Sequence, residues 1–242
     1  MIFPNQLVII GGGPSIKEGL GLGLKDKLKD TFTLGCNYAF KFIDSTATCY
    51  VDKGFFQQSD KKLSENLKEQ LTNLPLVIGQ GKKLGVPPPN TVFIPCAKVY
   101  ARDCANGIYK SNLCGIYTLS LGIYLLNIGT IFLLGYDHGA ITKDLDAQHK
   151  VITHFYQDEL KHRGIGKANW YNKNDGDIKD YGVYKDEKHV KIYNVSLNSH
   201  IRLFPKISYE QFFSMLSPTT YPQDQLRSEI LIKLKNLPQT QA

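Results

Sequence analysis

Long uncharged apolar runs are missing from this chain. No stretch approaches the roughly 18 residues that a membrane-spanning helix needs, which excludes such a helix. Met1-Ile2-Phe3-Pro4-Asn5-Gln6 has neither the basic flank nor the apolar stretch of a signal peptide, so a cytoplasmic protein is expected. Cysteine is sparse and unpatterned. Its five copies (Cys36, Cys49, Cys96, Cys104 and Cys114) are an odd number without any C-x-x-C pair, which argues against a disulfide framework or a zinc site. Cys36, Cys49 and Cys114 lie inside apolar runs and read as small buried hydrophobes. Internal repeats and low-complexity tracts are absent as well.

What is present is apolar mass spread along the chain. Hydrophobic residues make up 42% of the 242, with 12 Phe and 14 Tyr, too much for a solvated coil and enough for a sizeable core. The net charge of +7, mostly from lysine, suits an anionic partner such as a nucleotide, a phosphorylated glycan or nucleic acid, but requires none of them.

The apolar runs fall into an alternating order. Leu7-Val8-Ile9-Ile10, cut off by Gly11-Gly12-Gly13-Pro14-Ser15, reads as a buried parallel strand entering a tight turn. Phe32 to Cys36, Thr48 to Val51, Pro75 to Gly79, Thr91 to Ile94, Ile131 to Leu134 and Val190 to Val195 read as further strands. Leu63 to Leu74 and Leu113 to Leu126 read as helices, the second with Gly115, Ser120 and Gly122 suited to close packing on a sheet. This alternation predicts an α/β domain with a mostly parallel sheet and helices on both faces. Residues 139–189 are polar and rich in Tyr, His, Lys and Asp, with one helix-like part at Val151 to Lys161. A connection of that length predicts a lid. Pro218 to Pro222 precedes an amphipathic helix, Gln225 to Leu234. The expected division is a catalytic domain over 1–216 and a helical tail over 217–242, which could pack on its own core or on a second copy in a homo-oligomer.

Polar residues recur where strands end. Gly11, Gly12 and Gly13 allow close backbone approach to a ligand. The helix start that follows offers N–H groups to a phosphate, and Ser15 can cap it. Asn37, Asp52 and Asp137 stand at the carboxyl ends of their strands, the edge at which open parallel sheets bind ligands, although Asx residues also favour turns. His138, His149, His154 and His162 gather in or beside the lid, interleaved with Tyr156, Arg163, Lys167, Trp170 and Tyr171. Their spacing is not that of a zinc motif. It fits a single histidine base with cations near a phosphate.

The run Val8-Ile9-Ile10-Gly11-Gly12-Gly13-Pro14-Ser15-Ile16, the step Cys36-Asn37-Tyr38, the unit from Gly115-Ile116-Tyr117 to Leu133-Leu134-Gly135-Tyr136-Asp137, and Tyr193-Asn194-Val195-Ser196-Leu197-Asn198-Ser199 occur in an order that resembles bacterial lipooligosaccharide sialyltransferases. The related motility accessory factor and hydroxymethylpterin pyrophosphokinase-like proteins share it. The likeness covers about residues 7 to 205. It implies one Rossmann-like domain with a mobile lid, binding a nucleotide-activated sugar donor through Gly11, Gly12, Gly13, Pro14, Ser15, Asn37 and Asp52. Ser111, Asn112, Gly135, Asn198 and Ser199 join that donor site by the same likeness. It implies metal-free transfer with a lid histidine as base, His154 first and His162 second, and places Asp137 in the catalytic set. The family's tyrosine two residues after the Gly-x-Asp aspartate is Gly139 here, and its serine before the helix glycine is Cys114. Asp52 stands where those sialyltransferases carry Asn, so Mg²⁺ on a pyrophosphate stays open.

Three readings follow. The first is a glycosyltransferase acting from a nucleotide sugar on a glycan, a protein or, below these, nucleic acid. The second is an ATP- and Mg²⁺-dependent diphosphokinase of the pterin type, using Asp52 and Asp137. The third is a nucleotide-binding module without catalysis.

Overall fold

The computed structural model describes residues 3–51, 69–80, 90–94, 113–138, 152–157, 181–184 and 187–237. Its centre is β1 (Gln6–Ile10), apolar and buried from Leu7 onward because both of its faces are covered. Leu7 and Ile9 join one core and Val8 and Ile10 the other. β2 (Thr33–Cys36), β3 (Ala47–Tyr50), β4 (Val77–Gln80), β5 (Thr91–Ile94), β6 (Thr130–Leu134) and β7 (Lys191–Asn194) complete a seven-stranded sheet of order β5-β4-β3-β2-β1-β6-β7. All neighbours pair in parallel. The chain steps outward from β1 to β5, then returns to the other side of β1 for β6 and β7. Between β1 and β6 the direction of winding reverses, and that is where a doubly wound sheet opens a crevice at its carboxyl edge. The fold is therefore α/β and Rossmann-like, as the alternating runs predict.

The face holding Leu7 and Ile9 is covered by α3 (Cys114–Ser120) and α5 (Gln223–Lys235). α3 continues into a π turn, Leu121–Leu125. Within that turn a Cβ on Gly122 would stand 2.8 Å from Leu7 Cδ2 and 3.0 Å from Ile131 Cδ1, so the missing side chain is what lets the helix lie on β1 and β6. The opposite face is covered by α1 (Ile16–Gly21), α2 (Leu24–Lys27), a 3₁₀ turn (Asn37–Lys41) and α4 (Tyr209–Met215).

The tail helix packs on its own sheet. Leu226, Ile230 and Leu234 enter the core beneath α5, and Arg227 Nε donates to the Thr46 carbonyl at 3.1 Å. The sequence pattern alone left α4 unread, although its start carries a signature. Ser208 accepts from the Gln211 N–H at 3.3 Å while Gln211 Oε1 accepts from the Ser208 N–H at 2.9 Å, a reciprocal capping box. Ser208→Ala is expected to lower the free energy of unfolding by about 1 kcal/mol, read as a shift of the urea midpoint at unchanged m.

The inserted segment departs from expectation where it is described. Residues 152–157 form turns rather than the predicted helix. The Phe155 N–H that a helix would use internally donates instead to the Gly12 carbonyl at 2.9 Å. These residues are not a solvated lid surface either. Phe155 and Tyr156 are buried in one core, and Tyr181 and Tyr184 in the core on the other face. Among the described residues no helix is long and apolar enough to cross a membrane.

Candidate functional site

The loops leaving β1, β6 and β7 are tied together at the carboxyl edge. Gly11 N–H donates to the Leu134 carbonyl at 2.7 Å and Gly13 N–H to the Gly135 carbonyl at 2.9 Å. The Asp137 carboxylate bridges two chain segments, accepting from the Ser15 N–H at 2.9 Å and from the Ser196 hydroxyl at 2.5 Å. Asp137 is 4% exposed, so its charge is stabilised by these donors rather than by water.

This geometry changes how the glycine run reads. Gly11 and Gly13 are glycines because the β6 loop lies against them: a Cβ at Gly11 would be 2.7 Å from the Gly135 carbonyl oxygen, and one at Gly13 would be 2.6 Å from that same atom. The helix start offers less to a phosphate than the sequence suggests. The N–H groups of Gly11, Gly13 and Ser15 are engaged, Pro14 has none, and the anion at the start of α1 is the Asp137 carboxylate. Nor does Ser15 cap the helix. Its own backbone is already helical, with φ −58° and ψ −18°, and its side chain makes no cap bond. The Ser15 hydroxyl is buried facing that of Tyr209, and neither completes a hydrogen bond of ordinary geometry. Burial, reinforced by Asp137 and Glu18, holds the Tyr209 phenol well above its usual range.

Gly12 is the loop position that faces outward from these ties. A Cβ there would stand 2.7 Å from His154 Cδ2 and 3.1 Å from the Tyr156 hydroxyl. His154 and Tyr156 stack at 5.1 Å between centroids, and Tyr156 meets Tyr38 edge-on at 5.7 Å. Phe155 packs edge-on against Phe42 at 5.2 Å. The aromatic residues of the insert thus fix His154 over the glycine loop. The histidine ring is also held from behind, by the Thr153 hydroxyl 2.9 Å from Nδ1.

Asn37 follows β2 at the same edge with a left-handed backbone, φ 50°. Its Oδ1 is buried with no hydrogen-bond partner, a cost that a ligand donor would relieve. Gly135 turns the β6 loop at φ 67°. Ser199 is buried and acts as a pin: its hydroxyl donates to the Tyr136 carbonyl at 2.6 Å and accepts from Asn194 Nδ2 at 2.9 Å and from the Ile201 N–H at 3.0 Å. Asn198 next to it is exposed. Asp52, Ser111, Asn112 and His162 lie outside the described residues. Gly11 to Ser15, Asn37, Gly135, Asp137, His154, Asn198 and Ser199 are all described, and the structure sets them on loops at one edge of the sheet.

Cys114, where the family resemblance expects serine, is buried in the core and donates its thiol to the Cys49 carbonyl at 3.1 Å. Cys36, Cys49 and Cys114 are all free and buried, as their apolar surroundings predict, while Cys96 and Cys104 lie outside the described residues. Among the described residues no group of three His, Cys, Asp or Glu could hold a metal ion.

Two further residues stand beside this edge. His138 has a left-handed backbone, φ 39°, and its Nε2 pairs with the Tyr181 hydroxyl at 2.9 Å. Burial lowers its pKa to about 4, so it is neutral near pH 7. Ser196 is the other, and nothing in its neighbourhood announces its bond to Asp137. No protein-family model, no curated protein and no solved structure matches the chain.

Proposed function

We propose that the chain is a glycosyltransferase that takes a sugar from a nucleotide-activated donor and uses His154 as general base toward an acceptor hydroxyl. The observation that carries this reading is the placing of His154 against Gly12, at the switch point of a parallel sheet. A base must stand beside the reacting centre and be held there by its surroundings. His154 has Gly12 in front, Thr153 behind and the Tyr156 ring alongside. Asn37 supplies a buried carbonyl oxygen in need of a donor, such as a base amino group or a ribose hydroxyl. Asp137 has the part of a clamp in this reading, since both of its oxygens hold loops together. The acceptor in this reading is a glycan, a protein or, below these, nucleic acid.

A thermal-shift screen of CMP, UDP, GDP and ADP and their sugar conjugates, with and without Mg²⁺, tests the reading. A ligand at a hundred times its dissociation constant adds about 2.7 kcal/mol, several degrees for a chain of this size. The expected result is a rise with one nucleotide sugar that is lost in Asn37→Gly, which keeps the left-handed backbone and removes the amide. A rise with ATP and Mg²⁺ alone would indicate a diphosphokinase instead, and no rise with any of them would sink nucleotide binding altogether.

A further inference from the structure

We propose that Gln157, acting through Thr153, is a positioning residue that holds neutral His154 in its Nδ1–H form and keeps the Nε2 lone pair for proton transfer. The proposal rests on the reading of His154 as base for its functional consequence. Its physical content does not depend on that reading.

The buried polar atoms around Thr153 favour one assignment. Thr153 and Gln157 are 7% and 1% exposed, so their polar groups must be satisfied within the protein. The Thr153 N–H lies 3.0 Å from Gln157 Oε1, and an N–H can only donate, so the amide atom that faces it is the oxygen. The Thr153 hydroxyl lies 3.1 Å from the same oxygen. If its proton pointed elsewhere, two acceptors would face each other across that distance. With the proton directed at Gln157 Oε1, the hydroxyl has only lone pairs to offer His154 Nδ1, 2.9 Å away, so Nδ1 carries the hydrogen and donates. In a neutral imidazole that leaves Nε2 unprotonated. The opposite tautomer loses one buried hydrogen bond, which favours Nδ1–H by roughly tenfold.

A base oriented by a third group is the general requirement for activating a hydroxyl, and here an amide does the orienting through a hydroxyl relay.

The test is the ring-nitrogen spectrum of the full-length ¹⁵N-labelled protein at pH 8, well above the usual histidine range. The His154 signals are assigned by their loss in His154→Gln. The expected pattern is a pyrrole-type Nδ1 and a pyridine-type Nε2. Nε2–H in the wild-type chain overturns the proposal directly, with no variant needed. Gln157→Leu removes the acceptor, frees the Thr153 hydroxyl to donate to Nδ1 and is expected to switch the ring to Nε2–H. Gln157→Glu presents the same acceptor and is expected to retain Nδ1–H. A Gln157→Leu spectrum that keeps the wild-type tautomer removes Gln157 from the relay. Once a donor is known, Gln157→Leu is expected to lower kcat by about tenfold with little change in donor KM, and Gln157→Glu to restore most of it. An Nδ1–H ring in a chain that transfers no sugar would leave this inference standing and overturn the transferase reading.

Discussion

Gly13→Ala is expected to cost about 3 kcal/mol of stability, near the upper end for overpacking a filled space. The added methyl would fall against the Asp137 carboxylate and 2.6 Å from the Gly135 carbonyl oxygen, closer than any ordinary Cβ contact. Gly135 O cannot swing aside, because it is backbone and already receives the Gly13 N–H at 2.9 Å. Asp137 could move only by releasing the Ser15 N–H or the Ser196 hydroxyl, leaving a buried carboxylate short of donors. Gly21→Ala is the matched control. It lies at the end of α1 with nothing within 4 Å of its Cβ position, and it should be neutral or slightly stabilising through the lost freedom of the unfolded chain. Urea unfolding of the two variants decides the matter. Equal losses would mean that Gly13 serves only chain flexibility, whereas a large loss confined to Gly13→Ala locates its role in the contact between the β1 and β6 loops. If a donor binds here, its stabilisation should vanish with that contact.

The parts of this molecule that could be read from sequence are those set by neighbours along the chain. Leu7 to Ile10 and Ile131 to Leu134 are apolar at every position, and only a strand covered on both faces makes that pattern favourable. Their ends and that of Phe32 to Cys36 could be placed for the same reason, and with them Asp137 and Asn37. What those ends do depends on partners far away. The Ser15–Asp137 bond joins residues 122 positions apart, so nothing local marks Asp137 as a clamp or denies Ser15 its capping role. The insert was hidden in a different way. Its composition is polar on average, but the average conceals Phe155, Tyr156, Tyr181 and Tyr184, which are spent on the two cores. Gln157 is the extreme case, because a buried side-chain relay leaves no periodicity at all. His154 was legible as a candidate because a histidine near a predicted ligand edge is chemically informative, but its tautomer is set by two side chains that look ordinary in the sequence.

The second large effect is on acid stability and belongs to His138. Burial lowers its folded-state pKa to about 4, against an ordinary value of 6.5. The cause is loss of hydration. The ring meets Tyr181 at 5.2 Å and Tyr136 at 6.4 Å, and the adjacent Asp137 carboxylate is committed to Ser15 and Ser196 rather than to the imidazole. The sign follows from which state binds the proton. Above pH 6.5 His138 is neutral in both states and contributes nothing. As the pH falls from 6.5 toward 4 the unfolded chain takes up a proton that the folded chain refuses, so stability declines, by about 3 kcal/mol at most when each pKa unit is worth 1.36 kcal/mol. His138→Asn tolerates the left-handed backbone and cannot titrate. At pH 7.5 it should be somewhat less stable than the wild type, having exchanged the bond to Tyr181, and by pH 4 the order should narrow or reverse. Urea midpoints at half-unit steps between pH 7.5 and 4 measure the difference. Parallel curves for the two proteins would mean that His138 takes up its proton in the folded state at the ordinary pH. The imidazole would then be charged in mildly acidic solution instead of standing neutral beside Tyr181.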